Sequence, residues 1–299
     1  MSLSVVISAY NEEKKIEECL KSASFADEII LVNNESSDKT AEIARKYTSK
    51  IFTRPNKIML NVNKNLGFSK ASGDWIISLD ADERISPQLA KEIKSVIKRP
   101  SLINGYWMPR KNMIFGKLIQ SDLWWPDYQL RLFKKNKGKF PEKHVHEYLK
   151  VNGDTEKLKY SLIHLNYSSV DQYLYKMLNI YVPSEVKNRQ NTRIEWTDAI
   201  RFPVNDFLKT FFLQRGYRDG LHGLVLSLLQ AFYMEIVFVK LWEKQGFKEV
   251  NTKNFLDDVY KEFKKIKKDF RYWFLTSWIK ETKNPLKKIV YRLVRKNKF

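Results

Sequence analysis

Four short, almost uninterrupted apolar runs constrain this chain more than any other feature. They are Val5-Val6-Ile7, Glu28-Ile29-Ile30-Leu31-Val32, Lys50-Ile51-Phe52 and Trp75-Ile76-Ile77-Ser78-Leu79. A strand with one solvated face alternates apolar and polar residues, so runs without alternation predict strands covered on both faces. Between them lie helix-length segments over residues 12–21, 38–47 and 61–72, the second opened by Asp38-Lys39-Thr40 and the third stopped by Gly73. Beyond the fourth run, Ser86-Pro87-Gln88 predicts a helix through Ile97, capped by the serine, with proline in its first turn. The expected fold class is therefore α/β: a Rossmann-like, mostly parallel sheet with helices on both faces.

In such sheets ligands sit beyond the carboxyl ends of the strands. Three polar clusters fall there: Ser8-Ala9-Tyr10-Asn11-Glu12, Asn33-Asn34-Glu35-Ser36-Ser37-Asp38 and Asp80-Ala81-Asp82-Glu83. Side chains i and i+2 of a strand share a face, which predicts that Asp80 and Asp82 converge on one Mg²⁺ or Mn²⁺, cations that bridge carboxylates to diphosphate oxygens. The plainer reading of such a pair is a solvated acidic turn before a helix.

The chain has 299 residues, enough for a catalytic domain over 1–170 and a helical, basic region over 171–299. Its formal net charge of +20 calls for an anionic partner such as a nucleotide, a nucleic acid or an acidic membrane surface. The single cysteine, Cys19, excludes an intramolecular disulfide, fits a reducing compartment and reads as a small core residue. Met1 leads straight into the first strand without a signal-peptide pattern, so the expected location is cytoplasmic. Residues 221–242 come nearest to a membrane span. They are interrupted by His222, Gln230, Glu235 and Lys240, and no clean span is expected.

The middle region is rich in aromatics and carries Trp124-Trp125-Pro126-Asp127-Tyr128-Gln129-Leu130-Arg131-Leu132-Phe133 and Val145-His146-Glu147. Further on come Asp219-Gly220-Leu221-His222-Gly223-Leu224, Ala231-Phe232-Tyr233 and Lys240-Leu241-Trp242-Glu243. Together with the three strand-end clusters and Gly73-Asp74-Trp75, these segments resemble, in order, the motifs of family 2 glycosyltransferases with the GT-A fold, especially the lipopolysaccharide-core β-1,4-glucosyltransferase group. The resemblance spans about Leu3 to Glu243.

The resemblance implies a metal-dependent inverting glycosyltransferase. It would move a hexose from a nucleotide diphosphate sugar, with a UDP-sugar expected, to a lipopolysaccharide-core, lipid-linked or other envelope glycan. It implies Asp82 as first metal ligand, Asp80 on metal or ribose, and Ser8, Tyr10, Asn11, Glu12 and Asn33 around the nucleotide. Asp127 would be the catalytic base, with Glu147 as the alternative. Lys64 and Asn65 lie in a stretch resembling the family's Q-K-N-x-A segment, and Lys64, Arg54 and Lys70 are candidates for phosphate or ribose. Strand spacing puts Gln129 and Arg131 on the side of Asp127, where Arg131 could fork a phosphate. The same spacing pairs His144 with His146, a candidate third metal ligand. One departure stands out: the family usually has Asp where this chain has Asn33, and a carboxamide donates as well as accepts, which makes cytosine easier to accommodate.

Near the carboxyl end Leu286, Ile289, Val290, Leu293 and Val294 recur at helical spacing among Lys287, Lys288, Arg292, Arg295, Lys296 and Lys298. With Trp273, Phe274 and Trp278 upstream, this predicts a basic amphipathic helix on an anionic membrane surface. The plainer reading is a helix packing its apolar stripe on the core. Two other functions compete with the leading one. A nucleotidyltransferase would be expected to show a glycine-rich phosphate loop after the first strand, and residues 8–12 hold no glycine. A basic nucleic-acid-binding protein would explain the charge but not the ordered carboxylates, and no nucleic-acid partner is expected.

Overall fold

The structure, a computed structural model, describes residues 1–56, 60–142, 148–249 and 253–296. The chain divides into two compact units, one of residues 1–118 and 124–166, the other of residues 119–123 and 167–299.

The first unit holds strands β1 (Leu3–Ala9), β2 (Glu28–Asn33), β3 (Ile51–Thr53), β4 (Trp75–Asp80), β5 (Glu83–Ile85), β6 (Gly105–Ile114), β7 (Lys117–Leu118), β8 (Asp127–Lys134), β9 (Gly138–Lys139), β10 (Lys150–Val151), β11 (Thr155–Lys157) and β12 (Leu162–Tyr167). Its helices are α1 (Ile16–Ala23), α2 (Thr40–Ala44), α3 (Leu60–Lys70) and α4 (Pro87–Lys98). The main sheet runs β3-β2-β1-β4-β8-β6-β12-β5. Its first four strands are parallel. β8 then joins antiparallel to both β4 and β6.

Burial explains the apolar runs: Val5, Val6, Ile7, Ile30, Leu31, Val32, Ile76, Ile77 and Leu79 are all enclosed. Helix α3 packs closely because residue 67 is glycine; a Cβ there would stand 2.3 Å from Val6 Cγ1. Ser86 caps α4 as expected, its Oγ accepting from the Leu89 amide at 3.2 Å. Cys19 is buried in the core.

Two helices are shorter than the sequence pattern suggests, α1 at its start and α2 at its end. The amides of Asn11, Glu12 and Glu13 do not start a helix. They donate across to Ser36 Oγ, Thr40 Oγ1 and Asp38 Oδ2 of the neighbouring loop, so α1 begins only at Ile16. Helix α2 closes at Ala44, short of the expected Tyr47.

The second unit is helical, with α5 (Val170–Lys176), α6 (Val182–Asn188), α7 (Asp198–Leu208), α8 (Leu221–Lys244), α9 (Phe255–Glu281) and α10 (Pro285–Lys296) as its α-helices. Among the described residues α8, with its polar interruptions at His222, Gln230, Glu235 and Lys240, is the one helix long and apolar enough, by length and composition alone, to cross a membrane. Those residues are too sparse to offset the leucines, valines and phenylalanines around them. Part of the helix is ordinary core, with Leu226, Met234, Val237, Phe238 and Leu241 buried.

Candidate active site

Register brings the polar clusters to one edge of the sheet. Ser8 pairs with Asp80 across β1 and β4, Ala9 with Asn33 across β1 and β2, and Asn33 with Thr53 across β2 and β3. The loops after β1 and β2 are stapled together. Asn11, at φ 52°, accepts the Ser37 amide on its Oδ1 at 2.8 Å, and Asn34 donates to Ser8 Oγ at 3.0 Å. Asn11 therefore shapes the loop, Glu12 lies 3.8 Å from Lys15, and Tyr10 stands exposed. Asn33 is only 5% exposed and accepts the Ser36 amide on Oδ1 at 3.2 Å, which leaves its NH₂ as the group with donor capacity.

Asp80 ends β4, and Ala81-Asp82 form a turn rather than more strand. The strand alternation expected to make Asp80 and Asp82 converge thus stops two residues short, at Asp80, and the two carboxylates have different partners. Asp80 takes Lys64 Nζ at 2.5 Å on Oδ1 and Arg131 Nη2 at 2.5 Å on Oδ2. Asp82 Oδ2 lies 3.4 Å from His164 Nε2. Burial would raise the Asp80 carboxyl, but the Arg131 and Lys64 charges outweigh it and hold the group well below the usual carboxylate range.

Arg131 is not the free phosphate fork expected from its spacing. It is 6% exposed and shared between Asp80 and Glu83, whose Oε1 it reaches at 2.8 Å. Glu83, fully buried, also accepts Arg110 Nη1 at 3.3 Å and the Asp80 amide at 3.1 Å. Arg110 in turn grips Asp127 Oδ2 through Nε at 2.8 Å and Nη2 at 2.6 Å. Lys64, Asp80, Arg131, Glu83, Arg110 and Asp127 thus alternate in sign along one line of contacts, and their charges cancel.

A second, mostly neutral route leads from the turn to the same place. His164 Nδ1 lies 2.6 Å from Asn112 Oδ1, and Asn112 Nδ2 reaches Asp127 Oδ2 at 3.5 Å. Gln129 donates to Asp127 Oδ1 at 2.7 Å, as the i, i+2 spacing on β8 anticipates. Burial pushes the Asp127 carboxyl up, while Arg110, Gln129 and Asn112 together bring it below its ordinary value.

Other candidates have structural partners. Asn65 pins the chain at Phe140 and Glu142, and Lys70 lies over the Phe52 ring. Arg54 is exposed. His144, His146 and Glu147 lie outside the described residues. Within the described residues no three His, Cys, Asp or Glu side chains gather as a ready cation site. Two carboxylates still fit Mg²⁺ or Mn²⁺, because these ions are commonly held by one or two carboxylates together with water and substrate phosphate. Sequence reasoning missed Arg110, Asn112 and His164, and saw Glu83 only as a letter in a motif. Alternation on β6 and β12 exposes the signal, polar side chains at 110, 112 and 164 on the buried face of strands.

Residues 4–149 match the family model described as Glycosyl transferase family 2. A Rickettsia typhi protein named as an uncharacterized glycosyltransferase is 26% identical over 81% of this chain and 87% of its own length. The lipopolysaccharide core biosynthesis glycosyltransferase LpsC of Rhizobium meliloti is 24% identical over 83% of this chain and 94% of its own. Among solved structures, residues 1–349 of S. aureus TarS superpose with a TM-score of 0.46 at 18% identity, covering 82% of this chain and 92% of that one.

Proposed function

We propose that this chain, a glycosyltransferase whose residues 4–149 match the family 2 model, is a metal-dependent, inverting hexosyltransferase using a UDP-sugar. The acceptor in this reading is a lipopolysaccharide-core or other lipid-linked envelope glycan, as the name of the Rhizobium meliloti relative suggests. The single observation that carries the chemistry is the joining of Asp80, at the end of its strand, to Asp127 through Arg131, Glu83 and Arg110.

Asp82 and Asp80 would hold the divalent cation, which when bound supplies Lewis acidity to the leaving diphosphate. The bond from the anomeric carbon to the phosphate oxygen breaks with its electron pair going to the diphosphate. A bond from the acceptor oxygen to that carbon forms, and the acceptor proton passes to Asp127. Arg110 and Gln129 hold Asp127 ionised and oriented for this step. Its lowered proton affinity makes it a mild base, suited to taking a proton late, when the acceptor oxygen has already begun to bond. Glu147 remains the alternative base in this proposal. The basic, apolar α10 would bring the second unit to an anionic cytoplasmic membrane surface, where a lipid-linked acceptor resides.

The test is sugar transfer to an envelope-glycan acceptor from UDP-hexoses with and without Mn²⁺, with UDP, CDP and GDP titrated alongside. UDP is expected to bind best, with CDP tolerated because Asn33 offers its NH₂. Preference for GDP would overturn the donor assignment, and undiminished transfer in chelator would overturn the metal.

A further inference from the structure

Resting on the metal reading just given, we infer that Lys64 is a stand-in for the divalent cation at Asp80, and is handed to the diphosphate when the cation arrives. Asp80 carries two cations in this structure, Lys64 on one oxygen and Arg131 on the other, the same charge that a divalent ion would bring. The two are held differently. Arg131 is anchored a second time by Glu83 at 2.8 Å and its side chain is 7% exposed. Among the described residues Lys64 has no second carboxylate in its ion pairs. Its side chain is 14% exposed, and its ammonium otherwise lies over the Phe140 ring at 5.5 Å. A lysine ammonium is a compact charge on a flexible four-carbon stem, whereas a guanidinium is a rigid fork.

Competition for Asp80 follows from Coulomb repulsion. A divalent ion on the carboxylate and an ammonium 2.5 Å from the same carboxylate repel one another, and the less anchored charge moves. Arg131 can remain, because its Nε is buried with no acceptor among the described residues. Released from Asp80, its fork can close on Glu83 with two donors in place of one.

The charges also match the reaction. A nucleotide sugar carries about two negative charges, which a divalent ion cancels, and the diphosphate that leaves carries about three at neutral pH because its terminal phosphate ionises. The ammonium displaced from Asp80 supplies the missing positive charge as the sugar–phosphate bond breaks and its electron pair stays on the diphosphate. Lys64 would then weaken metal binding in the empty enzyme and strengthen diphosphate binding in the loaded one.

The full-length chain tests this with Mn²⁺ and UDP as probes. Free Mn²⁺ is measured by electron paramagnetic resonance without nucleotide, and UDP binding by calorimetry at saturating Mn²⁺, for the wild type, Lys64→Met and Lys64→Arg. Lys64→Met is expected to bind Mn²⁺ alone at least about 3-fold tighter and UDP at least about 10-fold more weakly. Lys64→Arg, which keeps the charge, should stay within about 3-fold of wild type for UDP. Unchanged or weaker Mn²⁺ binding by Lys64→Met, or unchanged UDP binding, overturns the inference while leaving the metal reading intact. UDP binding by the wild type that ignores Mn²⁺ overturns both.

Discussion

In the first unit the cations near the strand ends are turned inward, Arg131 and Arg110 sharing the fully buried Glu83. In the second unit the cations of α10 alternate with exposed Leu286, Ile289, Val290 and Leu293, and no residue of that helix is buried. Apolar surface divides the same way. The exposed large hydrophobic side chains described in the first unit are Met1, Tyr10, Leu102, Leu118, Tyr148 and Tyr160, and every other one belongs to the second. A buried charge without a partner is costly, so the first unit's charges act as a geometric device that holds side chains in register. Exposed charge beside exposed apolar surface contributes little to folding and suits adhesion to a surface that is anionic and oily at once. If this division is right, substitutions in the first unit change chemistry and those in α10 change where the enzyme works.

The largest expected effect lies at Asp82, the proposed metal ligand. Asp82→Asn should lower turnover by at least about 10³-fold with Mn²⁺ present, since Lewis-acid stabilisation of a leaving group amounts to several kcal/mol. The fold should persist, because Asp82 lies in a turn and is not part of the Glu83 hub. Turnover and circular dichroism of the same preparation check this, and substantial activity of the variant in chelator would remove the cation from the mechanism.

Next comes Asp127, the proposed base. Asp127→Asn should cost at least about 10²-fold in turnover with little change in UDP affinity, because in the proposed mechanism the residue serves the acceptor. The alternative gives a sharp contrast: if Glu147→Gln produces that pattern and Asp127→Asn does not, Asp127 is a structural partner of Arg110.

These two aspartates were legible in the sequence while the network joining them was not. The four apolar runs reveal a doubly covered sheet because burial on both faces leaves no alternation, and the order of motifs puts Asp80, Asp82 and Asp127 near the strand ends. Pairing across the sheet is another matter. Arg110 meets Asp127 because β6 lies beside β8, and Arg131 meets Asp80 because β8 lies beside β4. Neither neighbour relation is written in local periodicity, and a glutamate such as Glu83 looks solvated until its two arginines are found. The i, i+2 rule worked for Asp127 and Gln129, which lie on β8, and failed for Asp80 and Asp82, where the chain turns after the first. In the second unit the amphipathic pattern of α10 was plain, since none of its residues is buried.

For that unit, ending the chain after Thr282 should weaken binding to anionic vesicles by at least about 10-fold at physiological salt, each basic residue near the surface contributing roughly 1 kcal/mol at most. Transfer to a lipid-linked acceptor should slow, while donor hydrolysis in solution continues. The helix touches α9 through Tyr291 on Trp278 and Arg295 on Thr276, so the shortened chain keeps the core of its unit. Equal vesicle binding by the shortened and full chains would make α10 a clamp on α9 and break the contrast between the units.

The smallest expected effect sharpens the contrast from the first unit's side. Glu28, at the start of β2, accepts from Lys50, Ser4 and the amide and hydroxyl of Ser72, and its side chain is 8% exposed. Burial alone would raise its pKa, but those hydrogen bonds outweigh it and lower the value from 4.5 to about 2. A carboxyl whose pKa is lowered by folding stabilises the native state above its unfolded pKa, and loses that contribution as pH falls through the folded value. Glu28→Gln should therefore destabilise the protein by an amount on the order of 2 kcal/mol at pH 7. The gap between variant and wild type should narrow as pH drops from about 4.5 towards 2. Urea unfolding at pH 7, 4 and 3 measures that gap. A gap that stays constant over this range would mean that Glu28 acts through packing, and that the first unit's paired carboxylates do not distinguish it from the second in acid.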